Sequence, residues 1–145
     1  MATIASEDEY KAIFATFTNL QGFGKKVFLL GYTDAKEVPF YCLKQLSTEY
    51  FCKKEINFYG KPDTPRLNDF LLNEYDILID YTQGHCLPLA AMLVLSHARF
   101  TVGANKYHKD FYDLFLDMEN QPTQEELTNA IENYTNKLTG KDEIR

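Results

Sequence analysis

The sequence predicts a Rossmann-like α/β sandwich, a mainly parallel sheet with helices on both faces. Three observations carry that expectation. Short, continuous apolar runs such as Val27 to Gly31 and Asp76 to Asp80 have the character of strands buried on both sides. Segments with helical apolar spacing alternate with them, which is the pattern of strand–helix–strand units joined by right-handed crossovers. The 145 residues contain no repeat, low-complexity tract or linker, so a single domain is expected over residues 1–145.

The elements follow in order. Thr3-Ile4-Ala5 is a strand stub, shorter than the full first strand with which such folds open, so a truncated first strand is expected. Ser6 and Glu9 have capping-box spacing. Tyr10, Ile13, Phe14, Phe17 and Leu20 then define one helix face, and Gly22 and Gly24 punctuate its end. After the Val27 strand, Asp34 to Pro39 is a polar connection. Phe40 to Tyr59 is aromatic without a clean period, with extended pieces expected at Tyr50-Phe51-Cys52 and Ile56-Asn57-Phe58. Gly60 to Pro65 holds a glycine and two prolines and reads as a loop. Leu67 to Leu72 is a short helix, and Asp76 to Asp80 is the best strand in the chain. A turn at Thr82–Cys86 leads to a helix with Pro88 at its start, running to about His97. Arg99 to Gly103 and Asp113 to Met118 read as strands separated by a polar, mobile-looking loop, Ala104 to Lys109. Thr123 and Glu126 repeat the capping spacing. Leu127, Ile131, Tyr134 and Leu138 form a last amphipathic helix, followed by a flexible tail at 140–145.

Composition narrows the function classes. The formal net charge is −6, and no dense Lys/Arg block is present. A general nucleic-acid binder needs a basic face to replace counterions, and an anionic membrane surface asks for the same, so neither partner is expected. Three widely spaced cysteines, Cys42, Cys52 and Cys86, form no disulfide framework and no metal-ligand pattern. Reduced thiols and a cytoplasmic setting are expected. No signal-peptide pattern is found at Met1–Ser6, and the Leu87–Leu95 apolar run is too short to span a bilayer.

Four features could carry chemistry. The turn Asp80-Tyr81-Thr82-Gln83-Gly84-His85-Cys86 follows the best strand, where open sheets bind ligands. Its following helix has free N–H groups for an anion, His85 is a candidate base, and Cys86 at a helix start is a candidate low-pKa thiol. The plain alternative places Cys86 in the core and His85 in solvent. In the loop Tyr59 to Pro62, Lys61, with Arg66 nearby, could grip a phosphate or carboxylate, although the loop lacks the pattern of a phosphate-binding P-loop. Asp34, Asp80, Asp117 and Glu119 could lie near strand ends, with turn and cap roles the plainer reading. His97 and His108 show no ligand-like spacing, so no metal, cofactor or catalytic residue is assigned. Finally, Leu87 to Leu95 is apolar all round, so its outer side must be covered by the chain itself or by a second copy. Leu89, Met92 and Leu93 are the expected contacts of a homodimer.

Several segments occur in order: Gly31-Tyr32-Thr33-Asp34, Glu37-Val38-Pro39, Phe58-Tyr59-Gly60-Lys61-Pro62, Tyr75 to Asp80, Ala98 to Gly103 and Phe111-Tyr112-Asp113-Leu114. Together they resemble a family of small bacterial proteins catalogued as a domain of unknown function. The resemblance covers nearly the whole chain and implies a fold class without assigned catalytic residues. Its members carry a full first strand, from which this chain departs. Asp76 to Asp80, the apolar helix and Ala98 to Gly103 are also similar to the acceptor-side half of heptosyltransferase-like glycosyltransferases, although the chain is too short for their donor-binding domain. The expected function is therefore a small binding or interaction domain that self-associates. The alternative is a receptor or enzyme for a small anion, phosphate or sugar phosphate, held at Gln83–Cys86 with help from Lys61 or Arg66.

Overall fold

The computed structural model describes residues 1–22, 24–118 and 122–139, with side chains in the last helix as far as Tyr134. Glu119, the side chain of Leu138 and the 140–145 tail lie outside the described residues. The elements run β1 (Ala2–Thr3), α1 (Glu7–Gly22), β2 (Leu29–Thr33), β3 (Thr48–Cys52), α2 (Pro65–Leu72), β4 (Glu74–Asp80), α3 (Leu87–Leu95), β5 (His97–Gly103), β6 (Leu114–Phe115) and α4 (Gln124–Thr139). Single 3₁₀ turns occupy Lys53–Glu55 and Lys106–Phe111.

The strands form two parallel three-stranded sheets, β1-β2-β3 and β4-β5-β6. Residue 1 joins them. The Met1 nitrogen donates to Ile79 O at 2.8 Å, and Tyr81 N donates to Met1 O at 2.8 Å. This seam sets β1 beside β4 and gives the order β3-β2-β1-β4-β5-β6, that of a doubly wound dinucleotide-fold sheet. The first strand is thus two residues long, with Ile4 N still bonded to Tyr32 O.

Side-chain alternation along the strands builds two cores. Leu30, Tyr32, Phe51 and Leu78 point to one face, where α2 and α3 cover them with Leu67, Phe70, Leu89, Met92 and Leu93. Leu29, Tyr50 and Val102 point to the other, covered by Ile13 and Phe17 of α1 and Leu127 and Ile131 of α4. The Arg99–Gly103 expectation corresponds to β5, extended by two residues, and the β2 strand starts two residues later than Val27. Three expectations are corrected. Ile56-Asn57-Phe58 is no strand: Ile56 makes an isolated bridge to Pro62, and Asn57 closes a turn by accepting from Tyr59 N and Lys61 N at 3.0 Å each. Asp113 to Met118 contracts to the two residues of β6. The 104–109 stretch is an ordered 3₁₀ turn capped by Asn105, whose side-chain oxygen accepts from Tyr107 N at 3.0 Å.

Candidate functional site

The site grows from Asp80, the last residue of β4. Its carboxylate is 1% exposed and accepts three hydrogen bonds. Thr82 N donates at 2.9 Å, His108 Nδ1 at 2.8 Å and Tyr112 Oη at 2.6 Å. Burial alone pushes a carboxyl pKa up, but the hydrogen bonds from His108, Thr82 and Tyr112 outweigh it and hold Asp80 below the usual carboxylate range. Burial, and then the Asp80 charge, push the Tyr112 hydroxyl well above its ordinary value, so it remains a donor. Because an ionised carboxylate only accepts, the imidazole must carry its hydrogen on Nδ1.

Asp80 thereby pins the 3₁₀ turn that follows β5. Asn105 pins the turn that follows β4, donating from Nδ2 to Thr82 O at 3.0 Å and to Gly84 O at 2.8 Å. Gly84 adopts φ 73°, a left-handed conformation that glycine takes without strain. Tyr112 reaches Asp80 only because residue 103 is glycine: a Cβ there would lie 2.5 Å from the Tyr112 ring.

These pinned turns and the start of α4 line an open cavity of about 170 Å³ at the carboxyl ends of β4 and β5. Asp80, Thr82, Gln83, Asn105, Lys106 and Gln124 supply its polar lining, and Tyr81, Ala104, Met118 and Leu127 its apolar lining. Thr82 Oγ1 and Gln124 Oε1 belong to lining residues but are themselves buried, with no surface open to the cavity and no hydrogen-bond partner within normal geometry. Gln83 Nε2 donates to Pro122 O at 3.3 Å and ties one wall to the other. His108 Nε2 is also buried and unpaired, but His108 does not line the cavity. The Asp80–His108 pair braces the wall of the cavity.

Of the residues singled out in the sequence, Asp80, Gln83 and Gly84 come together here. His85 stands in solvent with its ring 5.8 Å from that of Tyr107. Cys86 is buried in the α2/α3 core, and burial pushes its thiol up to about 11, the opposite of an activated nucleophile. Lys61 and Arg66 do not line the cavity. Arg66 instead forms ion pairs with Glu49 and Glu55 and donates to Tyr50 O at 3.3 Å. Asp34 is exposed beside Lys53 at 3.4 Å, and Asp117 is exposed beyond β6. Among the described residues, no group of three or more His, Cys, Asp or Glu is placed to hold a metal ion. Leu89, Met92 and Leu93 are core residues, 0%, 0% and 3% exposed, so they present nothing to a second copy. The uncovered side of α3 carries Leu87, Val94 and Leu95 instead.

Fold and site together define a doubly wound α/β domain with a small cavity of mixed polar and apolar lining on the ligand side of its sheet. The chain belongs to a family of unknown function (DUF6913), whose pattern matches residues 1–138. No curated protein and no solved structure matches it. Among the described residues, no helix is long and apolar enough to cross a membrane.

Proposed function

We propose that this protein is a binding domain that takes up a small hydroxylated anion of the sugar-phosphate class at the carboxyl ends of β4 and β5. One observation carries the reading: Thr82, Gln83, Asn105, Lys106 and Gln124 come together around one cavity at the carboxyl ends of β4 and β5, where open α/β sheets bind their ligands. Lys106, the one cation among the described lining residues, supplies the attraction for negative charge. The net charge of −6 argues against nucleic acid as a partner. The three buried free thiols fit a reducing, cytoplasmic setting.

The test is thermal denaturation with phosphate, sugar phosphates and nucleotides. A ligand at a hundred times its Kd stabilises by about 2.7 kcal/mol. A concentration-dependent rise in Tm with a sugar phosphate, and none with a nucleotide too large for the cavity, is the expected result. No rise with any of them would refute the reading.

A second reading, self-association, is favoured by the outer face of α3, where Leu87, Val94 and Leu95 are 63%, 56% and 40% exposed. Sedimentation should then show a dimer that Val94→Glu dissociates while the fold survives. A wild-type monomer at high micromolar concentration removes this reading.

A further inference from the structure

Resting on the sugar-phosphate reading, we infer that the ligand carries its hydroxyls on a ring, and that Tyr107 is the residue that selects the ring form. Among the described residues that line the cavity, three are exposed: Gln83, Lys106 and Tyr107. These are the side chains that a molecule arriving from solvent can meet. They offer an amide, an ammonium group and an aromatic ring, each suited to a different part of one ligand. The amide pairs with hydroxyls, and the ammonium group attracts a phosphate. The aromatic face carries the negative side of the ring quadrupole, so what packs on it is a flat run of weakly positive C–H bonds. A pyranose in its chair form presents such a face ready made. An open-chain polyol of the same length presents one only after its torsions are frozen, which costs affinity.

Tyr107 is 68% exposed and yet held in place. Its backbone N donates to Asn105 Oδ1 at 3.0 Å, and Asn105 Nδ2 donates to Gly84 O at 2.8 Å. One buried amide therefore ties the backbone that carries Tyr107 to the backbone that carries His85. The two rings stand with centroids 5.8 Å apart and planes inclined by 57°. His85 flanks the tyrosine ring and leaves it less room to swing. A ring positioned before the ligand arrives loses little freedom on binding. Exposure alone does not make such a platform: Phe40, Phe58 and Tyr59 are more exposed than Tyr107, and none of them lines the cavity. Tyr107 combines an exposed ring, a fixed backbone and a place beside Gln83 and Lys106. An aromatic surface with a few placed polar groups is the usual make-up of a small-molecule site.

The ligand class is therefore a cyclic sugar phosphate. The probes are glucose 6-phosphate, a ring, and sorbitol 6-phosphate, an open chain of the same length with the same phosphate. Both are titrated into the intact chain by calorimetry, with thermal shift alongside. Glucose 6-phosphate should bind about fivefold more tightly than sorbitol 6-phosphate, the size of a favourable aromatic contact. Tyr107→Ala should remove that preference by weakening glucose 6-phosphate alone, with sorbitol 6-phosphate and the unliganded Tm unchanged. Tyr107→Phe keeps the ring face and should bind as the wild type does. Equal affinity for the two probes in the wild type would overturn the ring assignment and leave the sugar-phosphate reading in place. A preference that survives Tyr107→Ala, or one that Tyr107→Phe loses, would do the same. If neither probe nor any other sugar phosphate binds, the sugar-phosphate reading falls and the ring assignment falls with it.

Discussion

Asp80→Asn should reveal how strongly the wall of the cavity is held. The substitution keeps the shape of the side chain but replaces one carboxylate oxygen with an NH₂ group. Oδ2 accepts from His108 at 2.8 Å and Tyr112 at 2.6 Å, so an amide with its oxygen toward Thr82 sets donor against donor at both contacts. A hydrogen bond to a charged group contributes about 1.5–3 kcal/mol, and breaking one side of a buried ionic cluster costs about 3–5 kcal/mol. The expected loss at pH 7 is about 4 kcal/mol, or roughly 10–15 °C in Tm for a chain of this size. The pH dependence gives a second readout. Hydrogen bonding lowers the Asp80 pKa in the folded chain, so ionised Asp80 favours the folded state. That stability is fully present above the unfolded carboxyl value of about 3.9 and is lost as pH falls through the lower folded value. The gap between wild type and variant, measured by urea unfolding, should be flat from pH 7 to 5 and narrow below pH 4. A gap under about 1 kcal/mol, or one that stays constant down to pH 3, would refute the argument.

Three further outcomes follow from the same structure. Gly103→Ala places a Cβ 2.5 Å from the Tyr112 ring and should cost at least about 2 kcal/mol; in a Tyr112→Ala background most of that cost should vanish, and simple additivity in urea unfolding would contradict the packing account. Arg66→Met leaves the buried Glu49 with only Lys44, at 3.3 Å, and should cost roughly 2–3 kcal/mol, less than a fully buried pair because Arg66 is half-exposed; adding Glu49→Gln should restore part of it, and no restoration would assign the loss to packing. Cys42, Cys52 and Cys86 are all buried, with Cys42 and Cys86 pushed up to about 11, so none should react with a thiol reagent within minutes unless denaturant is added; rapid labelling of the native chain would show a thiol that the fold does not protect.

The strand–helix order was legible where a buried strand announces itself locally, as β2 and β4 do and β3 does not. Val27 to Leu30 and Ile77 to Ile79 carry their apolar residues in unbroken runs, and Ser6 marks a helix start, its hydroxyl accepting from Glu9 N. The Asn105–Phe111 stretch was misread because polarity suggests solvent. Asn105 and His108 are buried all the same: the Asn105 amide donates to the Thr82 and Gly84 carbonyls and His108 Nδ1 to Asp80, partners more than twenty residues away. No local pattern encodes such a pairing. The aspartate that closes the strongest strand was the one available clue, since it needs donors once it is buried. For α3 the difficulty was different. A helix apolar on every side has no period to say which side faces the sheet, so Leu89, Met92 and Leu93 could not be told from Leu87, Val94 and Leu95.

The seam at residue 1 has a consequence for cooperativity. Each three-stranded sheet is assembled from a contiguous stretch of chain, residues 2–52 and 74–115, and few backbone hydrogen bonds cross between them. What makes the halves unfold together is therefore the side-chain layers and the returning helix α4, which packs on α1 while Thr128 bonds to the Tyr81 hydroxyl at 2.6 Å. The last helix is a clasp between two units that would otherwise open separately, and amide exchange at the seam should report the free energy of releasing that clasp rather than of melting either sheet.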